Sequence, residues 1–368
     1  MTADKARSTR NLPVVPSSSR CKTRRASTIS VIYPAPPPPH HHDLIKDSSF
    51  PPHSHPNSPY PCSGGALAIP PCHDHPPSPA SSSSSCLSAY VAPMDEDEAQ
   101  RLDRLHGVLR HILRRLYLAP VDPSSLHRVL DIGTGVGTWA RDMALMLPNS
   151  NAQVYGVDIQ PSWDEFLRDI PPNLHLMYGD LLQGLIFRDA RFDFTHQRNL
   201  VRSIPSSRWS DVLREHLRLL KPGGWIELHE PDYSFSRKSM DPAPYSDQLS
   251  SEIRRCCSST GVYLDMISSL HLCLEDLGFT NVSYRRLDIP LGEWGGPTGD
   301  ILKNIMSRDL EAFEASISRS LGPIAALNFE DLLSHFWEEC ELVKTCISLH
   351  IICAQKPSIP LDSLNSRK

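Results

Sequence analysis

The sequence predicts an α/β fold: a doubly wound, mostly parallel sheet of seven strands carrying a helical cap. Three observations predict it. Short apolar runs of strand length alternate with helical periodicity between Val129 and Leu228. A glycine turn, Gly133-Thr134-Gly135-Val136-Gly137, follows the first of those runs, and an aspartate follows each of the next two, Asp158 and Asp180. Strands separated by helical segments pair in parallel through right-handed crossovers.

The ends of the chain carry no such pattern. Of 34 prolines, 18 fall at or before Pro93, alongside His40-His41-His42 and the serine run Ser81 to Ser85. Residues 1–89 are expected to be a disordered Pro/Ser/His-rich region, 90–358 the folded domain and 359–368 a flexible tail. Residues 1–31 carry a net charge of +6 within a total of −5, which leaves −11 on the remainder. An acidic domain lacks the clustered Lys and Arg that phosphate contacts need, so direct nucleic-acid binding is not expected. No stretch approaches the roughly 18 uninterrupted apolar residues of a membrane span, and the basic N-terminus has no apolar segment for secretion. Nuclear or cytoplasmic residence is expected, the basic N-terminus favouring the nucleus. The ten cysteines include no C-x-x-C pair, and no metal site is expected, the Cys62, Cys72, His73 and His75 group included.

Asp95 can cap a helix whose first turn is acidic, with Leu102, Leu105, Val108, Leu109, Ile112, Leu113 and Leu116 at three- and four-residue spacing before Pro120. Strands are expected at Val129–Ile132, Gln153–Asp158, Leu174–Tyr178, Phe192–Thr195, Trp225–Leu228, Val282–Leu287 and Ile351–Ala354. Helices are expected at Trp139–Leu147 and Trp209–Leu220, with more after Asp232. Leu302 to Trp337 is mostly helical, belongs to no strand and is read as a cap over the ligand cleft.

The glycines alternate between a strand and a helix, where the absent Cβ atoms let backbone approach a ligand at the helix N-terminus. A dinucleotide site would need its third glycine at position 138, which is Thr138. Asp158 stands where a carboxylate can accept both hydroxyls of a ribose, and Asp180 where one can accept a proton from an adenine amine. Each could equally be a capping aspartate, but all three features lie at the carboxyl ends of strands, where ligands of such sheets bind.

With these residues the sequence resembles the class I methyltransferases, whose fold is Rossmann-like, and Leu220-Lys221-Pro222-Gly223-Gly224-Trp225 is similar to their turn before strand five. From Tyr90 to Pro357 it resembles more closely the fungal LaeA-type methyltransferases, partners of the velvet complex. The resemblance rests on Tyr90 and Pro93, Arg101-Leu102-Asp103, the run Leu130 to Trp139, Gly156-Val157-Asp158 with Pro161, Phe192-Asp193 with His196, Glu227 and Glu230, Gly278-Phe279, Ile289-Pro290-Leu291 before Trp294, and Gln355-Lys356-Pro357. Val136, Thr138 and the absence of Trp from Leu181 to Leu185 depart from that pattern. The resemblance implies S-adenosylmethionine as methyl donor, held by Asp131, Gly133, Thr134, Gly135, Gly137, Asp158, Ile159, Asp180, Leu181 and His196. Gln197 and Tyr90 are further candidate contacts. His196 is the best placed general base, ahead of His229 and Glu230, or else lines the pocket without moving a proton.

Two functions follow from that family. One is a regulatory methyltransferase in a nuclear assembly controlling secondary metabolism, with velvet-type proteins as partners; Arg24-Arg25-Ala26-Ser27, a basophilic-kinase pattern, would modulate its import. The other is a tailoring enzyme acting on a small metabolite, with the helical cap as substrate lid. A binding-only pseudoenzyme and a nicotinamide oxidoreductase are less consistent with the intact glycines and Asp158 and with Thr138, respectively.

Overall fold

The computed structural model describes residues 95–160, 163–321 and 323–358. The expectations for 1–89, Tyr90, Pro161, the Arg24–Ser27 motif and 359–368 lie outside those residues.

The first helix, α1 (Glu96–Leu113), begins as its sequence dictates: the Asp95 side chain accepts the Glu98 N–H, and Glu96, Asp97 and Glu98 sit at the positive end of the helix dipole. There follow β1 (Arg128–Ile132), α2 (Thr138–Met146), β2 (Gln153–Asp158), α3 (Trp163–Phe166) and β3 (Leu174–Tyr178). Next come β4 (Phe192–Arg198), α4 (Trp209–Leu219), β5 (Leu220–Arg237), α5 (Pro244–Ser258), α6 (Leu270–Asp276) and β6 (Thr280–Pro290). The long pair α7 (Gly296–Leu321) and α8 (Pro323–Val343) precedes β7 (Thr345–Gln355). The seven strands form one sheet in the order β3-β2-β1-β4-β5-β7-β6. Strands β1 to β5 are parallel, while β7 lies antiparallel between β5 and β6. The expected seven-stranded, mostly parallel sheet with a Rossmann-like winding is the fold observed.

The departures lie in length. The fifth strand was expected to end at Leu228, before Pro231; β5 instead runs on to Arg237, because β7 pairs with it on both sides of a register shift between Pro231 and Phe235. Proline is tolerated at such an irregularity, where a ladder N–H is not needed. Strands β6 and β7 are longer than expected for the same reason. Strand β7 is buried from Thr345 to Ala354, which explains its almost continuous apolar run. The cap is also longer than Leu302 to Trp337: α7 starts at Gly296, and α8 ends at Val343. Helix α7 packs on α1, α5 and α8, and α8 packs on α5. Among the described residues no helix is long and apolar enough to cross a membrane.

Candidate functional site

The glycine turn leaves β1 with three residues in the left-handed region, Gly133 (φ +70), Gly135 (φ +56) and Gly137 (φ +83). It is tied to the neighbouring strand: Gly133 and Thr134 donate to the Val157 carbonyl at 2.9 and 3.1 Å. Gly135 donates to Asp158 Oδ2 at 2.8 Å, and Gln160 donates to Asp158 Oδ1 at 2.9 Å. A Cβ on Gly133 would lie 2.5–2.8 Å from the Leu200 side chain. The turn can therefore hold this shape only with glycine there, and it presents its backbone to the space above the sheet.

That space is a cavity of about 360 Å³ along the carboxyl ends of the parallel strands. Asp131, Gly133, Thr134, Gly135, Asp158, Ile159, Asp180, Leu181 and His196 all line it. Gly137 does not. It opens α2, and a Cβ there would press on Leu167 and Leu176, so its glycine serves packing behind the turn. Asp180 caps the short turn that follows, accepting the Leu182 N–H at 2.9 Å, while facing the cavity. Ile159 keeps 42 % of its surface open, an apolar platform beside the Asp158 carboxylate. Burial raises that carboxyl above its ordinary pKa, and the Asp131 charge adds to the rise.

Beneath the turn lies a buried chain of side chains. Thr134 Oγ1 donates to Asp131 Oδ2 at 2.7 Å, and Asp131 Oδ1 lies 2.8 Å from His196 Nδ1. Burial lifts the Asp131 carboxyl to about 6 and drives the His196 pKa well below its usual value, the neighbouring His229 and Arg198 adding to that fall. His196 is therefore neutral, and a neutral ring beside an aspartate donates from Nδ1. Its Nε2 keeps a lone pair but is buried and has no hydrogen-bond partner among the described residues. The ring stacks on Trp139 at 3.8 Å with its edge against His229. The alternative bases point elsewhere. His229 is bound to Glu227 at 2.7 Å and is 1 % exposed. Gln197 and Glu230 are fully buried, joined at 2.9 Å, and Gln197 Oε1 accepts from His216 at 3.1 Å. Alternation along β4 puts Gln197 on the opposite side of the strand from His196, so the expectation of a Gln197 contact fails.

The far end of the cavity is built by the cap. Leu302, Met306 and Asp309 of α7 line it together with Ile289, Ile347, Leu349, Pro231 and Tyr233. Asp309 Oδ1 accepts from Arg202 at 2.7 Å, its Oδ2 accepts from the Tyr233 hydroxyl at 2.9 Å, and Arg101 stands at 3.8 Å. Burial alone would raise the Asp309 carboxyl, but the Arg202 and Arg101 charges and the Tyr233 hydroxyl outweigh it and hold it below its ordinary value. One aspartate thus fastens α7 to α1, to β5 and to the segment after β4.

Arg198, Arg202, Tyr233 and Asp309 were not singled out from the sequence, for they stand in no motif; convergence from four elements is visible only in three dimensions. Gly156 was noticed only through resemblance. Its reason is physical: a Cβ there would sit 2.6 Å from Leu176 Cδ2 and 2.8 Å from Thr134 Oγ1. Among the described residues no three His, Cys, Asp or Glu side chains converge as a metal-binding group.

Comparison with known proteins gives the chain a family. A family model described as a methyltransferase domain matches residues 101–284, a stretch that holds the turn and β1 to β5 but stops short of α7 and α8. The methyltransferase pytC of Aspergillus terreus is 31% identical over 240 residues, 62% of this chain and 71% of that protein. The N-methyltransferase verN of Clonostachys rogersoniana is 27% identical over 277 residues, 73% of this chain and 93% of that protein. The secondary metabolism regulator laeA of Coprinopsis cinerea is 34% identical over 150 residues, but these are 39% of this chain and 36% of that protein.

Proposed function

The chain belongs to the methyltransferase-domain family and is an S-adenosylmethionine-dependent methyltransferase; from that premise we propose that its methyl acceptor is a small, largely apolar metabolite seated beneath α7. The residues present fit the donor. The turn offers backbone that no Cβ blocks at Gly135, where the nearest side-chain atom is 3.5 Å from an added Cβ. Asp158 offers a carboxylate to a ribose diol, and Ile159 and Leu181 offer apolar surface to a base. When bound, S-adenosylmethionine supplies a methyl group on a sulfonium that is already a good leaving group. The protein then has to align the acceptor and exclude water. The Asp131–His196 pair supports that work from below: with its Nε2 sealed, His196 braces Asp131 and Trp139 under the turn and moves no proton. This makes His196 a positioning residue, not a base.

The observation that carries the small-molecule reading is the continuity of the cavity. The same 360 Å³ space touches the glycine turn at one end and Leu302, Met306, Ile347 and Leu349 at the other. A concave cavity whose exposed lining is mostly apolar suits a compact ligand. The test is label transfer: purified full-length chain with methyl-labelled donor, offered the small-molecule and the protein fraction of a fungal extract separately. Label is expected in the small-molecule fraction; label in the protein fraction alone would overturn the reading.

The identity to laeA over 150 residues supports a second reading, a regulator of secondary metabolism working with velvet-type partners. It requires the purified chain to bind such a partner, which the tailoring reading does not.

A further inference from the structure

Among the described residues, one arginine that lines the cavity has no ion-pair partner. Of the arginines lining it, Arg101 is bound to Glu98 at 2.6 Å, Arg202 to Asp309 at 2.7 Å and Arg208 to Asp211 at 2.9 Å. Arg198, the last residue of β4, forms no ion pair among the described residues. Its one hydrogen-bond contact among the described residues is Nη2 to His106 Nδ1 at 3.4 Å. His106 is neutral, its pKa lowered by burial, and its Nε2 is 3.1 Å from Asp142. It therefore donates to Asp142 and turns its lone pair to Arg198, holding the guanidinium without spending an anion on it. Burial depresses the Arg198 pKa, and the Asp131 and Glu230 charges act against that fall.

A guanidinium has five N–H donors, and four of these have no acceptor among the described residues. They are not sealed, unlike Arg191 Nε, which is buried without a partner; the half-buried Arg198 side chain opens onto the cavity. A desolvated cation without an ion-pair partner costs stability, and a planar fork of open donors matches a carboxylate two bonds at a time. Arg198 stands two residues from His196, beside the turn that begins at Gly133. The donor proposed for this cavity carries one carboxylate, on its methionine end.

We infer that Arg198 is the residue that binds the methionine carboxylate of the methyl donor, with His106 as its positioning partner. The inference rests on the methyltransferase reading above and adds to it a residue outside the glycine turn. It is tested by calorimetry on the full chain and on Arg198→Gln and Arg198→Lys. The two probes are S-adenosylhomocysteine and 5′-methylthioadenosine, which shares the nucleoside thioether but lacks the amino-acid end. Arg198→Gln should weaken S-adenosylhomocysteine roughly 10- to 100-fold and leave 5′-methylthioadenosine unchanged, with Arg198→Lys recovering part of the loss. Its melting temperature should stay level or rise, since a desolvated cation without an ion-pair partner has been removed. Equal weakening of both probes, or no weakening of either, overturns the assignment while leaving the methyltransferase reading intact. An unaltered chain that binds neither probe would sink both.

Discussion

Replacing Asp158 with alanine separates two tasks that one carboxylate performs. It accepts the Gly135 and Gln160 N–H groups at 2.8 and 2.9 Å, and it offers its remaining lone pairs to the cavity. A buried N–H left without an acceptor costs about 1–3 kcal/mol. Removing a carboxylate that burial already penalises offsets part of that. The net loss should be about 1 kcal/mol, a fall in Tm of about 2–4 °C for a domain of this size. Hydrogen bonds from a ribose diol to a charged acceptor contribute about 1.5–3 kcal/mol, so the dissociation constant for S-adenosylhomocysteine should rise roughly 10- to 150-fold. Calorimetry and thermal melting at pH 8 read the two effects apart. Asp158→Asn should do no better than alanine, because its single oxygen serves one N–H and its amide group meets the other donor. Because burial raises the Asp158 pKa, affinity in the unaltered chain should weaken as pH falls through that raised value, a dependence the alanine form lacks. A lowered Tm with unchanged affinity would refute the ribose role and leave Asp158 as a tie for the turn.

Three further outcomes are expected. Gly156→Ala should cost about 1–3 kcal/mol in denaturant unfolding, the usual cost of overpacking, since its Cβ meets Leu176 and the Thr134 oxygen that holds Asp131; an unchanged midpoint would show that the turn yields freely. Burial raises Glu230 to about 7, so its folded-state proton stabilises the protein fully below the unfolded pKa near 4.5, and this contribution, about 3 kcal/mol, is lost as pH rises through 7. Glu230→Gln should therefore flatten the decline of stability between pH 5 and 8; an identical pH slope in urea titrations would rule that out. The opposing contribution of His216, lowered by burial to about 3, is present above 6.5, fades as pH falls towards 3 and should remain in the variant. Asp309→Ala breaks the anchor of α7 by removing the carboxylate that Arg202 and Tyr233 share, at a cost of about 3 kcal/mol; melting should fall and the acceptor KM should rise more than kcat changes, whereas an unchanged melt would mean that the cap is held by apolar packing alone.

The features that sequence alone determined are those whose cause is local. Asp95 caps α1 because a short acceptor before an acidic turn satisfies a nearby N–H. The turn from Gly133 to Gly137 is legible because only glycine takes three left-handed positions in five residues without strain. Alternation of strand and helix implied the parallel half of the sheet, and the spacing of Asp158 and Asp180 put both at strand ends facing one cavity. What tertiary structure decided depends on partners far apart in the chain. Strand β5 continues past Pro231 only because β7, more than a hundred residues later, supplies the pairing. Gln197 and His196 are equivalent as sequence neighbours, and only packing against His216 and Glu230 on one side and Trp139 on the other divides their tasks. Likewise Arg202 and Arg198 look alike in the sequence. Asp309 reaches the first from the cap and, among the described residues, no carboxylate pairs with the second, so packing makes one a structural anchor and leaves the other a cation with its donors open to the cavity.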